Sequence, residues 1–416
     1  MKKAIFKEID YYINNCKVAD CLRKKLFEYG SFKDQWNKVE VGTKKKGDSA
    51  EKIFTKVKLV REDADEIAPI DYFDMMVADA IYSLWTSLGM DEITPLDIHR
   101  VMAGDAERTM TKNSREEIVS SVDKLASTRI IIDCKDEMTG RKNGKANLSY
   151  DDWFIDCEKI EYEGDEEKER ATDKNGREKK QKIKYIINDN MPIYSYAEDL
   201  GQIIKVPISL LDTRNMPARS SKGKEEKEED KKTRKMLDKD GEARLRKNSR
   251  DTDDVVMLKH ILIRRIEVMK NGHNDVSERR ISLIRRDSKS SNLYTGILPL
   301  MGITRTYERE KNKASASDAT EDKKGKKING SIRKNHDNKK EGHIKEYRTA
   351  SAWTHKKNQI VKHIEGILED FKNIEYIDDF EIDRDVTGDV KNIKIKVQDK
   401  KPLEGEMEKN EDVKTE

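Results

Sequence analysis

Between residues 71 and 127 apolar positions recur at helical spacing in three consecutive stretches, after which the pattern changes to the short β-branched runs of strands. Val77, Ile81, Leu84, Trp85 and Leu88 fall on one face of a helix. Asp71 is placed to cap its start and Gly89 to end it. Thr94, Pro95 and Asp97 then supply an N-cap, a proline at the first helical position and an acid two positions later, so a second short helix runs to about Ala103, with Gly104 after it. Thr111 caps a third helix that continues through Ser127 and turns Ile118, Val122 and Leu125 to the core. The run RIIIDC at 129–134 reads as a buried strand, TGRKNGK at 139–145 as a glycine-rich basic turn, and WFIDCEKIEY at 153–162 as the returning strand. Residues 1–30 read as two short amphipathic helices, residues 53–60 alternate as a strand, and further strands at 182–188 and 202–208 extend the sheet.

A similar order follows later in the chain. Val255, Leu258, Leu262, Ile266 and Met269 share a helical face that stops at Asn271-Gly272. RRISLIRR at 279–286 is strand-like, and LYTGILPLMG at 293–302 reads as a short apolar helix. A helix from about Ala352 to Lys372 carries the stripe Ile360, Ile364, Ile367, Leu368 and Phe371, followed by IEYIDDFEI and, after Thr387-Gly388, by IKIKV at 393–397. Three helices and then a hairpin is the order of a winged helix. The predicted fold class is α+β, with two winged-helix-like domains joined by a charged flexible linker and a disordered basic insert in the second.

Composition sharpens these boundaries. Charged residues make up 40% of the 416 and hydrophobic ones only 35%, so part of the chain is expected as solvated connector and the cores as small and separate. The expected organisation is an N-terminal segment at 1–67, a first domain at 68–212, a linker at 213–250, a second domain at 251–397 and an acidic disordered tail at 398–416. The insert at 305–348 holds 14 basic against 8 acidic residues. Both a basic arm along a phosphate backbone and a solvated tether fit that composition. The whole chain nets only +3, so any case for a polyanionic partner rests on local clustering. Cys16, Cys21, Cys134 and Cys157 form no CxxC pair, which fits reduced thiols in a cytoplasmic compartment. Glu8 and Asp10 interrupt the region where a signal peptide would be apolar, and no run long enough to span a membrane occurs.

The runs YFDMMVADAIYSLW, ITPLDIHRVMAGD, SVDKLASTRIIIDC and VMLKHILIRRIEVMKN, with the C-terminal helix and short strand, resemble plasmid and mobile-element replication initiators with tandem winged helices. The resemblance covers residues 68–397 less the linker and insert. It implies sequence-specific binding of double-stranded DNA at repeated, AT-rich origin sites, recruitment of host replication proteins, and exchange between homodimer and monomer. A transcriptional repressor, or a non-catalytic protein-binding adaptor of a mobile element, would use the same folds.

A winged helix lays its third helix in the major groove and touches backbone with the hairpin tip. In the first unit this points to Lys112, Asn113, Ser114 and Arg115 at the helix start, to Ser120 and Lys124 along it, and to Arg141, Lys142 and Lys145 at the tip, with Glu116, Glu117 and Asp123 opposing them. In the second unit it points to His355, Lys356, Asn358, Gln359 and Lys362, where acids begin only at Glu365. Asparagine can pair bidentately with adenine, and lysine can contact phosphate.

No catalytic, metal or cofactor site is expected. There is no HxH pair beside a nucleophilic tyrosine. Gly140 to Ala146 has the wrong spacing for a phosphate-binding loop. Asp383 and Asp385 with Gly388 begin like a calcium loop, but its twelfth position would be Lys394, which cannot coordinate.

Overall fold

Local capping chemistry sets the first three long helices. In a computed structural model describing residues 6–27, 36–46, 49–61, 69–139, 148–162, 182–189, 191–212, 253–271, 278–286, 294–304, 345–346, 350–384, 386 and 390–397, these helices lie close to the boundaries expected from their caps. After Phe6 come strand β1 (Asp10–Asn14), helix α1 (Lys17–Arg23), and strands β2 (Asn37–Lys46) and β3 (Ser49–Val60). Helix α2 (Tyr72–Leu88) starts at Asp71, whose side chain accepts from the Phe73 and Asp74 amides, and it ends at Gly89. After β4 (Glu92–Ile93), Thr94 and Asp97 form a capping box on α3 (Pro95–Ala103). Thr111 caps α4 (Lys112–Ala126) through the Ser114 amide. Gly104, with φ of 64°, ends α3 where a 3-10 turn (Ile208–Leu211) passes, and a Cβ there would lie 2.5 Å from the Asp212 nitrogen.

The rest of the chain supplies β5 (Arg129–Asp133), β6 (Ser149–Trp153), β7 (Cys157–Tyr162), β8 (Lys182–Ile187), α5 (Pro192–Asp199) and β9 (Ile203–Pro207). Then come α6 (Asp253–Lys270), β10 (Glu278–Ile281), α7 (Ala350–Asn373), β11 (Asp379–Arg384) and β12 (Val390–Lys396), with single-turn helices at Lys135–Met138 and Ile297–Leu300. The mixture of helix and strand is that of an α+β protein. Four strands form the antiparallel sheet β2-β3-β5-β6, three form β4-β8-β7, and three form β10-β12-β11. The hairpin of β11 and β12 pairs Phe380 with Ile395 and has its register shift at Asp383/Arg384.

Several expectations are corrected. Among the described residues the N-terminal stretch holds a strand, β1, between the helical Phe6 and helix α1, because Tyr11 and Ile13 are buried while Tyr12, Ile13 and Asn14 pair with Lys205, Ile204 and Ile203. Among the described residues, the strand at 202–208 therefore pairs with β1 alone and extends none of the three larger sheets. The single strand expected over 153–162 is broken at the buried Phe154 and Ile155: β6 pairs with β5, whereas β7 joins β8 in another sheet. The strand expected over 279–286 is likewise two pieces, and its second piece, Arg285–Arg286, pairs with Tyr294–Thr295, leaving only Ile297–Leu300 as helix.

The cores are also not separate. One apolar cluster runs from Phe6 to Val397. Its hinge point is α6, in which every residue from 255 to 264 is buried. The predicted stripe covers one face; Val256 and Ile263 are buried to one side of it and Met257, His260 and Arg264 opposite it, as in helices enclosed on all sides. The polar residues of α6 are paired across to earlier elements. Lys259 Nζ donates to the Asp212 carbonyl at 2.5 Å and meets the Asp370 carboxylate at 3.2 Å. Arg264 meets Asp20 at 2.9 Å. His260 lies edge-on to Tyr11, and its Nε2 bonds the Met102 carbonyl at 2.8 Å. A carbonyl only accepts, so Nε2 carries the proton.

Burial pushes the His260 imidazole down from 6.5 to about 4. Between those values the unfolded chain binds a proton that the folded chain refuses, so stability is full above about 6.5 and is lost as pH falls toward about 4. The loss approaches about 3 kcal/mol at one proton per pH unit. Urea unfolding at several pH values should show this acid-side decline and a flatter profile for His260→Gln. Superimposable profiles would contradict the assignment.

Candidate nucleic-acid interface

Helix α4 has its apolar face against α2 and its opposite face in water. Lys112, Asn113 and Ser120 are exposed, in a row shared with Glu116 and Asp123, and Arg115 is half-buried. Lys112 lies 3.5 Å from Glu116, both well exposed, a geometry worth little energetically. Ser114 is buried and its hydroxyl shares a hydrogen bond with Thr111 Oγ1 at 2.8 Å, so it belongs to the cap.

Lys124 is placed inward, against the expectation that it faces away from the core. Its ammonium lies 2.7 Å from the buried Asp74 carboxylate at the start of α2, and Ser121 donates to the same group at 2.7 Å. This pins α4 to α2 and removes Lys124 from the outer face. Arg141, Lys142 and Lys145 lie outside the described residues.

Lys159 of β7 reaches Asp123 at 2.8 Å, and the Tyr185 hydroxyl of β8 donates to the same carboxylate at 3.3 Å. The sheet β4-β8-β7 thus flanks α4 and offsets one of the acids that oppose anion binding there. Sequence spacing gave no sign of this, since Tyr185 lies 62 positions from Asp123.

Helix α7 presents Thr354, His355, Asn358 and Lys362 to solvent along its N-terminal half. No acidic residue occurs in α7 before Glu365, whose carboxylate is held by Arg384 of β11 at 3.1 Å. Lys356 departs from expectation in the same way as Lys124. It is buried and bonds Asp254, at the start of α6, at 2.6 Å, with the half-buried Gln359 side chain 3.5 Å away. Of the residues expected here, the exposed set is therefore His355, Asn358 and Lys362, at spacings that share one face.

No family model matches the chain, and no curated protein matches it. Among solved structures it is similar to domains 2 and 3 of RctB in a selenomethionine derivative, with 12% identity, a TM-score of 0.25, and coverage of 47% of this chain and 67% of that one. A second structure of RctB domains 2–3 is similar at 15% identity and a TM-score of 0.23, over 39% of this chain and 52% of the other. Similarities of this size carry no argument about fold or site. Among the described residues, no helix is long and apolar enough to cross a membrane.

Proposed function

We propose that the chain is a sequence-specific binder of double-stranded DNA that acts as a replication initiator of a plasmid or mobile element, contacting repeated origin sites through two winged-helix-like units and recruiting host replication proteins by binding, with no catalytic step of its own. One observation carries the reading: α4 and α7 each follow earlier helices and precede a strand pair, and each keeps an uncovered polar face although the core beneath is continuous. The order supports a winged-helix arrangement in both units, and the acid-free start of α7 makes it the stronger reading helix. A homodimer on paired sites is part of the same proposal.

The test is a mobility shift of the full chain on duplexes carrying any direct repeat found in the DNA flanking its coding region, with Asn358→Ala as the discriminating variant. A bidentate amide contact to a base is worth about 1–3 kcal/mol, so the variant should lose about 5- to 150-fold for the repeat and little for random duplex. Equal losses on both duplexes, or none, would remove base reading by α7. Replication of an origin plasmid in a host supplied with the protein separates initiator from repressor.

A further inference from the structure

The strands β2 and β3 are longer than the sheet that holds them. Only Lys56 to Val60 of β3 pairs with β5, while the hairpin continues to Lys46 opposite Ser49. Inside the sheet the burial alternates: Val39, Thr55, Val57 and Leu59 are buried. Past it, Thr43, Lys44, Ala50, Glu51 and Lys52 are all exposed, on consecutive positions of both strands, so neither face of this part is packed. Five residues of strand, 49–53, reach about 16 Å beyond Phe54 at ~3.3 Å each.

The ribbon is strongly basic. Residues 37–60 hold seven lysines, Lys38, Lys44, Lys45, Lys46, Lys52, Lys56 and Lys58, against Glu40, Asp48 and Glu51, a net charge of +4, larger than that of the whole chain at +3. Lys52 pairs with Glu40 at 2.6 Å and Lys56 with Asp133 at 3.3 Å, and Glu51 stands across from Lys44 in the register. Lysines on an edge strand discourage edge-to-edge pairing, and that would account for β2 inside the sheet. It does not account for two strands projecting with both faces in water, an arrangement of marginal stability on its own. A duplex offers what this shape and charge complement: a major groove about 12 Å wide that admits a two-stranded β-ribbon, walled by phosphates.

We propose that the projecting ribbon, residues 42–46 and 49–53, is a further duplex-DNA contact, separate from α4 and α7, in which the lysine run 44–46 supplies the positive charge for phosphates. This rests on the duplex-binding reading above and adds to it a contact that carries affinity without base identity.

The experiment measures the affinity of the full chain for a labelled random-sequence 30-bp duplex and for the repeat duplex between 50 and 200 mM salt, with and without the triple change Lys44→Ala, Lys45→Ala and Lys46→Ala. Unchanged thermal unfolding establishes that the variant is folded. Three lost phosphate contacts should make the slope of log affinity against log salt shallower by about 2.7, equally on both duplexes. A variant with the wild-type slope overturns the ribbon contact while wild-type binding leaves the reading of α7 intact. A wild-type chain with no salt-dependent duplex binding overturns both. Ribbon-dependent binding of poly-glutamate in place of duplex overturns the choice of partner.

Discussion

Replacing Asp79 with alanine should cost about 3–5 kcal/mol of folding stability, the range found when one partner of a buried ion pair is removed. Asp79 and Arg23 are each 2% exposed, and their side chains meet at 3.0 Å. The same carboxylate accepts from the Asn14 amide at 3.0 Å and from the Tyr194 hydroxyl at 2.6 Å. Four elements, β1, α1, α2 and α5, are thereby tied to a single group. Alanine would leave a guanidinium, a hydroxyl and an amide buried without that acceptor, and the uncompensated charge dominates the cost. Domains have about 5–15 kcal/mol in total, so the variant should unfold at far lower urea or accumulate poorly. Exchanging both partners for apolar residues of similar size, Arg23→Met with Asp79→Leu, should recover most of the loss. A single variant whose urea midpoint stays near wild type would show that the pair is not the tie described.

Severing the chain between Ser220 and Ser221, at an inserted site for a specific protease, should leave the two pieces bound to each other. Helix α6 is enclosed by the elements before it as well as by those after it, and Lys259 grips the Leu210 and Asp212 carbonyls on the other side of the cut. The cross-cut ion pair is the sensitive point. Arg264 is 5% exposed, and its Nε has no hydrogen bond among the described residues, so Asp20 is the counter-charge it depends on. Loss of one partner from such a pair, about 3–5 kcal/mol, corresponds to about 10²- to 10⁴-fold in dissociation constant. Gel filtration of the cut protein should therefore give one peak for wild type and two, at low micromolar concentration, for Asp20→Ala. Two peaks for the cut wild type would show that the halves are joined only by the covalent chain.

The parts of this fold legible in the sequence were those set by neighbours along the chain. Asp71, Thr94 and Thr111 cap because their side chains bond amides two or three positions on, and Gly89 and Gly104 end helices because they sit in the left-handed region. The strand β1 was hidden because its partner lies at 203–207, and five residues carry too few turns of pattern to separate strand from helix. Lys124 and Lys356 were misplaced for a different reason. A long aliphatic stem lets a cation cross to an acid on a neighbouring helix, the buried Asp74 or the half-buried Asp254, and nothing in helical spacing reveals where that acid stands. For α6 a signal existed: Val256 and Ile263 lie off the stripe, and apolar residues on every face imply cover on every face. The exposed trio of α7 was legible because it lies opposite a regular apolar stripe and precedes the first acid.

Lys259 has one further consequence. It holds the chain at Asp212 only seven positions after residue 252, so both ends of the stretch 213–252 are anchored on the same packed body. The length of that stretch can change in evolution without moving α4 relative to α7, and the distance between two operator elements read by those helices would be dictated by side-chain packing, as between the jaws of a fixed caliper.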